Sequence, residues 1–114
     1  MKTDYITSGS ILPSYLAYPR FLLEMGLRLV AKEVYALLLD MTVNGEASED
    51  KYGRRYLMFT NPEIAKLIDR TPSTVGHALA ELEAAGLVKR HWVSRSPTQP
   101  YHTYVKLPIM EDES

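Results

Sequence analysis

One stretch of the sequence, residues 60–87 (TNPEIAKLIDRTPSTVGHALAELEAAGL), constrains the fold more than any other. Thr60 with Glu63 three positions later is typical of a capping box, in which two side chains satisfy free amides at a helix start. A second interpretation makes Asn61 the cap and Pro62 the first helical residue, because the residue before a proline resists helical dihedrals. Both interpretations begin a helix within one position of each other, which is ordinary boundary variation.

The same stretch predicts where this first helix ends and a second one begins. The apolar face of the first helix is expected to comprise Ile64, Leu67 and Ile68. The helix should end near Asp69 or Arg70. Thr71 can cap the amides that follow it, and Pro72 loses only an amide that would be unpaired at a helix start. We therefore expect two helices joined by a tight turn.

The second helix has a predicted buried face and a predicted outer face. The buried face is expected to comprise Val75, Ala78, Leu79 and Leu82. Gly86 supplies a left-handed stop, after which Leu87 can fold back onto the helix. Small or polar residues remain on the outer face: Ser73, Thr74, Gly76 and His77. In helix-turn-helix proteins the start of the second helix meets the major groove. The alternative is an ordinary helix pair packed on a core.

The chain before this stretch is expected to supply a central core helix over residues 30–42. Its apolar residues recur at helical spacing: Val30, Val34, Leu37, Leu38 and Met41, with Tyr35 and Leu39 beside them. A short helix is expected over residues 20–25. Residues 11–18 (ILPSYLAY) are expected to form a short edge strand or an extended segment packed on the core. Residues 46–53 (EASEDKYG) indicate a solvated loop.

Three β-rich runs complete the predicted fold. Residues 54–59 (RRYLMF) predict a short strand, and residues 87–93 and 101–107 enclose a proline-containing loop, which predicts a hairpin. A hairpin directly after a recognition helix is a wing, with Arg95 near its tip. The predicted fold class is therefore α+β: a winged helix-turn-helix of three to four helices with a small antiparallel sheet and a C-terminal β-hairpin wing.

Length and composition bound the organisation of the chain. A length of 114 residues predicts one domain. We expect a flexible arm at residues 1–10, the winged-helix domain at 11–108, and an acidic tail or the start of a linker at 109–114. The absence of cysteine excludes disulfides and thiolate metal sites. No run is long and apolar enough to cross a bilayer, so we expect a cytoplasmic protein without a membrane partner.

Nothing in the sequence predicts catalysis. His77, His91 and His102 lie on different predicted elements, without the spacing of a metal-binding helix or a pair of carboxylates. The chain also lacks a nucleophile elbow and a glycine-rich phosphate or nucleotide loop. We therefore expect no enzymatic activity, no cofactor, no metal ion and no small-molecule substrate.

The net charge of −1 hides an uneven distribution. Residues 54–95 contain seven Lys and Arg and four Asp and Glu, a net charge of +3. The rest of the chain contains six Lys and Arg and ten Asp and Glu, a net charge of −4. Such a polarised domain can be steered toward phosphate despite its acidic total. Chance unevenness in a short chain is the alternative.

Several motifs together point to a family. They are YALLLD at residues 35–40, FTN at 59–61 leading into Glu63-Ile64, the run from Leu79 to Val88, and YVK at 104–106. In this combination they resemble the N-terminal domain of RepA-type plasmid replication initiators, over about residues 15–106. The resemblance implies binding to repeated sites at a plasmid or mobile-element origin, as a homodimer.

The sequence departs from that family pattern in two places, both of which concern individual DNA contacts. Pro72-Ser73 stands where lysines are frequent at the start of the recognition helix. The wing, residues 94–100 (SRSPTQP), lacks the glycines and lysines that are frequent in the family.

The leading hypothesis from these observations is sequence-specific binding of double-stranded DNA. Recognition-helix contacts are expected from Thr71, Ser73, Thr74 and His77, of which the last three would carry base readout. Phosphate or wing contacts are expected from Lys66, Arg70, Lys89, Arg90 and Arg95. Two alternatives remain: a winged-helix transcriptional regulator, and a winged helix that contacts other replication proteins.

Overall fold

The structure, a computed structural model, describes residues 1–91 and 101–109. Its elements follow in chain order: a 3-10 helix (Arg20–Glu24), α1 (Leu29–Asn44), β1 (Ser48–Glu49), β2 (Arg55–Met58), α2 (Asn61–Ile68), α3 (Pro72–Ala84), β3 (Val88–His91) and β4 (His102–Val105). The four strands form an antiparallel sheet in the order β1-β2-β4-β3. The predicted α+β class, with helices packed on a small antiparallel sheet, is confirmed.

Helix α1 lies at the centre of the fold, where it packs against α3 and the inner face of the sheet. Its most buried residues recur at helical spacing: Ala31, Val34, Tyr35 and Leu38. The helix extends slightly beyond the predicted range of 30–42 at both ends. Val30, Leu37, Leu39 and Met41 are only partly buried, because they flank the buried stripe rather than form its centre.

Tyr35 joins this central helix to the end of the β3–β4 hairpin. Its ring is fully buried and meets Phe21 edge to face, with 5.7 Å between ring centroids. Its hydroxyl donates a hydrogen bond to the carbonyl oxygen of Lys106, at 2.7 Å. The Lys106 amide in turn donates to the carbonyl of Leu87, at 2.8 Å, which closes the base of the hairpin. Burial raises the pKa of Tyr35 to about 12.

Helix α2 begins at the position that the first interpretation predicted, with Thr60 as the N-cap and Asn61 as the first helical residue, but the predicted side-chain capping of backbone amides is absent. The Thr60 hydroxyl donates to the Glu63 carboxylate, at 3.1 Å, and does not itself cap a backbone amide. The helix ends at Ile68, and Asp69 follows in the left-handed conformation. Leu67 is exposed, contrary to prediction. The buried face of this two-turn helix is centred on Ile64 and Ala65 instead.

Helix α3 has the predicted start and stop. The Thr71 hydroxyl accepts a hydrogen bond from the Thr74 amide, at 3.2 Å. After the helix, Gly86 has φ of +80°, and the Leu87 amide donates to the Leu82 carbonyl, at 3.0 Å, as in a Schellman motif. The predicted buried face, Val75, Ala78, Leu79 and Leu82, is confirmed.

Gly76 was predicted on the outer face of α3, and that prediction is wrong. A Cβ atom added at Gly76 would lie 3.2 Å from the amide nitrogen of the Asn61 side chain. Gly76 therefore faces the Asn61 side chain at the start of α2.

Two predictions about the flanking segments are also wrong. Residues 11–18 form no strand and are exposed throughout; Pro13 and Pro19 remove amides that a strand would use for pairing. In the expected loop at residues 46–53, Ser48 and Glu49 pair with β2. The hairpin forms because the Asp50 carboxylate holds the turn that follows, through hydrogen bonds from backbone amides.

Candidate nucleic-acid interface

The start of α3 presents the predicted recognition residues unequally. Thr71, Ser73 and His77 are exposed, whereas Thr74 is half-buried. The Thr74 hydroxyl lies 2.9 Å from the Thr71 hydroxyl, which also caps the helix. Two of the four predicted side chains thus have a structural role at the helix start. The other two, Ser73 and His77, are exposed, and their side chains take no part in the hydrogen bonds that form the start of α3.

A groove runs along the outer face of α3 beside the start of α1. Its lining consists of Arg28, Val30, Thr74, His77, Ala78, Ala80 and Glu81. Arg28 is the N-cap residue of α1, and its backbone amide donates to the Glu81 carboxylate, at 2.9 Å. This hydrogen bond fixes the start of α1 against α3. An exposed arginine side chain therefore lies in the same groove as Thr74 and His77.

Arg28 was not among the predicted site residues. It lies far from His77 in the sequence, and only the packing of α1 against α3 brings the two together. Periodicity predicted α1 itself but carried no information about which end of α1 faces α3. No signal in the sequence alone could have placed Arg28 at this site.

Two predicted phosphate contacts, Lys66 and Arg70, lie beside the start of α3. Both are exposed and line a shallow depression with Pro72, the first residue of α3. Acidic Glu63 and Asp69 line the same depression, so its charge is mixed. The amides at the start of α3 add a partial positive charge. The first turn of α3 is consequently flanked by cations both at α1 and at the α2–α3 turn.

The residues predicted on the wing differ in their accessibility. Lys89 is exposed. Arg90 is half-buried: its amide donates to the Glu83 carboxylate, at 2.9 Å, and its Nε lies 3.6 Å from the same oxygen. The Arg90 guanidinium carbon also lies 5.4 Å from the centre of the Tyr101 ring. These contacts hold Arg90 within the fold. Arg95 lies outside the described residues.

Two further arginines, at the start of β2, have contacts inside the fold. The Arg55 guanidinium donates to the carbonyl of Thr42, at 3.0 Å, near the end of α1. The Arg54 side chain donates to the Asp50 carboxylate, at 3.0 Å. Both therefore have partners within the fold.

Asp50 is the centre of a small hydrogen-bonded network between the β1–β2 turn and β4. It accepts hydrogen bonds from the amides of Tyr52 and Arg54, both at 2.9 Å, and from the Tyr104 hydroxyl, at 3.0 Å. Desolvation alone would raise the pKa of Asp50, but the hydrogen bonds from Arg54, Tyr52 and Tyr104 outweigh it and lower the pKa to about 2. Desolvation and the Asp50 hydrogen bond raise the pKa of Tyr104.

Within residues 1–91 and 101–109, no three His, Cys, Asp or Glu side chains cluster in a way that could hold a metal ion. None of the helices in these ranges has the length and hydropathy needed to cross a membrane. The chemistry that the α3 surface offers is hydrogen bonding and attraction of anions.

Comparison with known proteins identifies the fold. No protein-family model and no curated protein sequence matches this chain. A solved structure described as the N-terminal domain of a DNA-binding protein is similar, with a TM-score of 0.69 and 18% identity over 97% of this chain and 88% of that one. A Rep–DNA complex is also similar, with a TM-score of 0.69 and 19% identity over 87% of this chain and 79% of that one. At such identities the likeness shows a shared fold.

Proposed function

We propose that this chain binds double-stranded DNA sequence-specifically, with the start of α3 in the major groove. The observation that carries the proposal is the exposed first half of α3, with Ser73 and His77 facing outward between Arg28 and the Lys66–Arg70 pair. A major groove about 12 Å wide admits one helix, and flanking cations would then meet phosphates on either side. The similar folds, a DNA-binding protein domain and a Rep–DNA complex, support the proposal.

We further propose that the DNA sites are repeats at a plasmid or mobile-element replication origin, and that the chain binds them as a homodimer. The resemblance of residues 35–40, 59–64, 79–88 and 104–106 to RepA-type initiators supports this context. The similarity to the fold of a Rep–DNA complex supports it independently. A transcriptional regulator would use the same surface of α3, so the arrangement of the selected DNA sites has to distinguish the two.

The first experiment is fluorescence anisotropy with random duplex DNA at several salt concentrations, together with selection of preferred sites from a pool. For a phosphate-contacting surface, the logarithm of the binding constant falls with the logarithm of the salt concentration by about 0.9 per contact. Lys66→Ala and Arg70→Ala should each flatten that slope by about one contact. Lys2→Ala, which removes an exposed lysine outside the helices and the sheet, is the matched control and should leave the slope unchanged.

His77→Ala tests base readout. For a base contact, it should narrow the free-energy gap between selected and random duplexes by about 1–3 kcal/mol. Arg28→Ala should instead weaken binding to both duplexes alike, since a phosphate contact carries no sequence information. An unchanged gap for His77→Ala would remove this residue from the readout.

The selected sites decide between the biological contexts. Tandem repeats support the initiator, whereas a single operator-like site supports the regulator. Sedimentation that shows only monomers, with and without DNA, would refute the homodimer. If the wild-type chain bound no duplex even at low salt, DNA binding itself would be refuted in favour of a winged helix that contacts proteins.

A further inference from the structure

The face of the sheet turned away from the helices has an unusual composition. Buried Leu57, Val88 and Thr103 mark the inner face, which packs against the helices. Because side chains alternate between faces along a strand, their neighbours lie on the outer face. These neighbours are Tyr56 and Met58 on β2, Lys89 and His91 on β3, and His102 and Tyr104 on β4.

The rings on this outer face form a continuous surface across two strands. Tyr56 stacks on His102, with 4.0 Å between ring centroids and 21° between the ring planes. Tyr56 also lies 5.6 Å from the ring of Tyr104. The strand register places Lys89 opposite Tyr104 and His91 opposite His102. All three central rings are half-buried, so part of each remains open to solvent.

The β1–β2 turn adds a further ring and two cations to this surface. Tyr52 is 68% exposed. The Arg54 guanidinium lies 4.9 Å from the centre of the Tyr52 ring and 5.5 Å from that of Tyr104, so it bridges the turn and the sheet. The Lys51 ammonium lies 5.1 Å from the Tyr52 ring. Two acids lie at this turn. Asp50 is already engaged by Arg54 and Tyr104, whereas the exposed Glu49 has its carboxylate beside Gly53.

We propose that this outer face, comprising Tyr52, Tyr56, Tyr104, Lys51, Arg54 and Lys89, binds single-stranded nucleic acid. Bases would stack on the tyrosine rings while the cations contact the phosphates. A single strand is the ligand that matches this chemistry, because its unpaired bases expose their faces at the same spacing as its charges. In a duplex the base faces are covered by their neighbours, so the rings would have nothing to stack on.

The proposed site is separate from the α3 surface that is proposed to bind duplex DNA. The helices pack on the inner face of the sheet, whereas the rings and cations lie on the outer face. Variants of one surface can therefore be tested without touching the other. Recognition by stacking is also tolerant of sequence, because every base has a face, whereas the α3 surface is proposed to discriminate between sequences.

The test is anisotropy titration of a labelled single strand of twenty thymidines at low salt. Tyr52→Ala and Tyr56→Val each remove one ring; loss of one stacked base should weaken binding by about 5- to 150-fold. Tyr52→Ala leaves the turn intact, because Tyr52 holds Asp50 through its backbone amide. Val at position 56 keeps a residue suited to a strand. Thermal unfolding of each variant establishes that it is folded.

Two controls match these variants. Tyr15→Ala removes another exposed tyrosine, 74% exposed and outside the sheet, and should leave single-strand binding unchanged. His77→Ala should also leave it unchanged while altering duplex discrimination, which separates this proposal from the one for α3. Photocrosslinking from 5-iodouridine in the strand should label Tyr52, Tyr56 or Tyr104.

Three results would each overturn the proposal. The first is that the wild-type chain does not bind the single strand even at low salt. The second is that the folded Tyr52→Ala and Tyr56→Val variants bind it as tightly as the wild type does. The third is that a polyglutamate of matched charge competes as well as the single strand, because charge alone would then explain the binding.

Discussion

Replacing Tyr35 by phenylalanine removes one hydroxyl from the centre of the domain and leaves the ring in place. The hydroxyl donates to the Lys106 carbonyl, at 2.7 Å. An intramolecular hydrogen bond contributes a net of about 0.5–1.5 kcal/mol. No cavity forms, because the ring remains, and Lys106 is exposed, so water can replace the lost donor. We expect Tyr35→Phe to lower the free energy of unfolding by about 1 kcal/mol and Tm by about 3–6 °C.

The same substitution should change how stability depends on pH. Burial raises the pKa of Tyr35 from its ordinary value of 10.0 to about 12. Between these values the unfolded chain has released the Tyr35 proton and the folded chain still holds it. The contribution of Tyr35 to stability is therefore complete below about pH 10 and is lost as the pH rises toward about 12. The stability difference between the wild type and Tyr35→Phe should shrink over this window.

Urea unfolding at pH 7 and at steps from pH 9 upward measures both effects. Tyr5→Phe is the matched control, because Tyr5 is exposed and its hydroxyl is not buried on folding. Equal stability of the wild type and Tyr35→Phe at pH 7 would refute the role assigned to the hydrogen bond. A stability difference that stays constant up to pH 12 would refute the pKa argument.

Three other substitutions test local features of the fold. Gly86→Ala forces a side chain into a conformation with φ of +80° and should destabilise the protein by about 1 kcal/mol in thermal unfolding. Gly76→Ala should stabilise it by up to about 1 kcal/mol, provided that the Asn61 side chain, 3.2 Å from the new methyl group, rotates aside; a destabilisation would show that Asn61 is fixed. Because hydrogen bonds lower the pKa of Asp50 to about 2, the wild type should lose stability as the pH falls from about 4 to about 2. The Asp50→Asn variant should lose less stability over that pH range, as measured by acid titration followed by circular dichroism.

Where local chemistry decides the structure, the sequence was sufficient to predict it. The Thr71 cap with Pro72 and the Gly86 stop each depend on residues within a few positions of one another, and the predicted ends of α3 are confirmed. The core helix α1 could be predicted from the helical spacing of its apolar residues alone. That spacing is visible because the residues that pack into the core lie on one side of the helix.

Most of the failures share a physical cause, which is that tertiary packing decides them. The two-residue strand at Ser48 is the exception: it has neither alternation nor apolar residues, and it pairs with β2 because the Asp50 carboxylate holds the turn between them. Leu67 fits an amphipathic pattern, yet nothing in the described fold covers it. At the candidate site, the helical spacing of the apolar residues in α3 predicted that His77 faces outward. The position of Arg28 could not be predicted in this way, because it depends on how α1 packs against α3.

The aromatic outer face of the sheet shows the same limit. Tyr52, Tyr56 and Tyr104 come from two separate parts of the sequence, and only Tyr104 belonged to a motif there, the YVK run at residues 104–106. Their proximity follows from the strand order β1-β2-β4-β3, in which β4 lies beside β2 rather than at an edge. No single-sequence pattern encodes that order.

The central position of α1 also governs when this protein can fold during its synthesis. α1 ends at Asn44, but its main packing partner, α3, is complete only at Ala84. At about 5–20 residues per second, the ribosome takes about 2–8 s to add the forty residues between them. Throughout that interval α1 lacks its main packing partner, and the Tyr35 hydroxyl still awaits its hydrogen-bond acceptor 71 residues downstream. The native packing of α1 can therefore be completed only when nearly all of the domain has been translated.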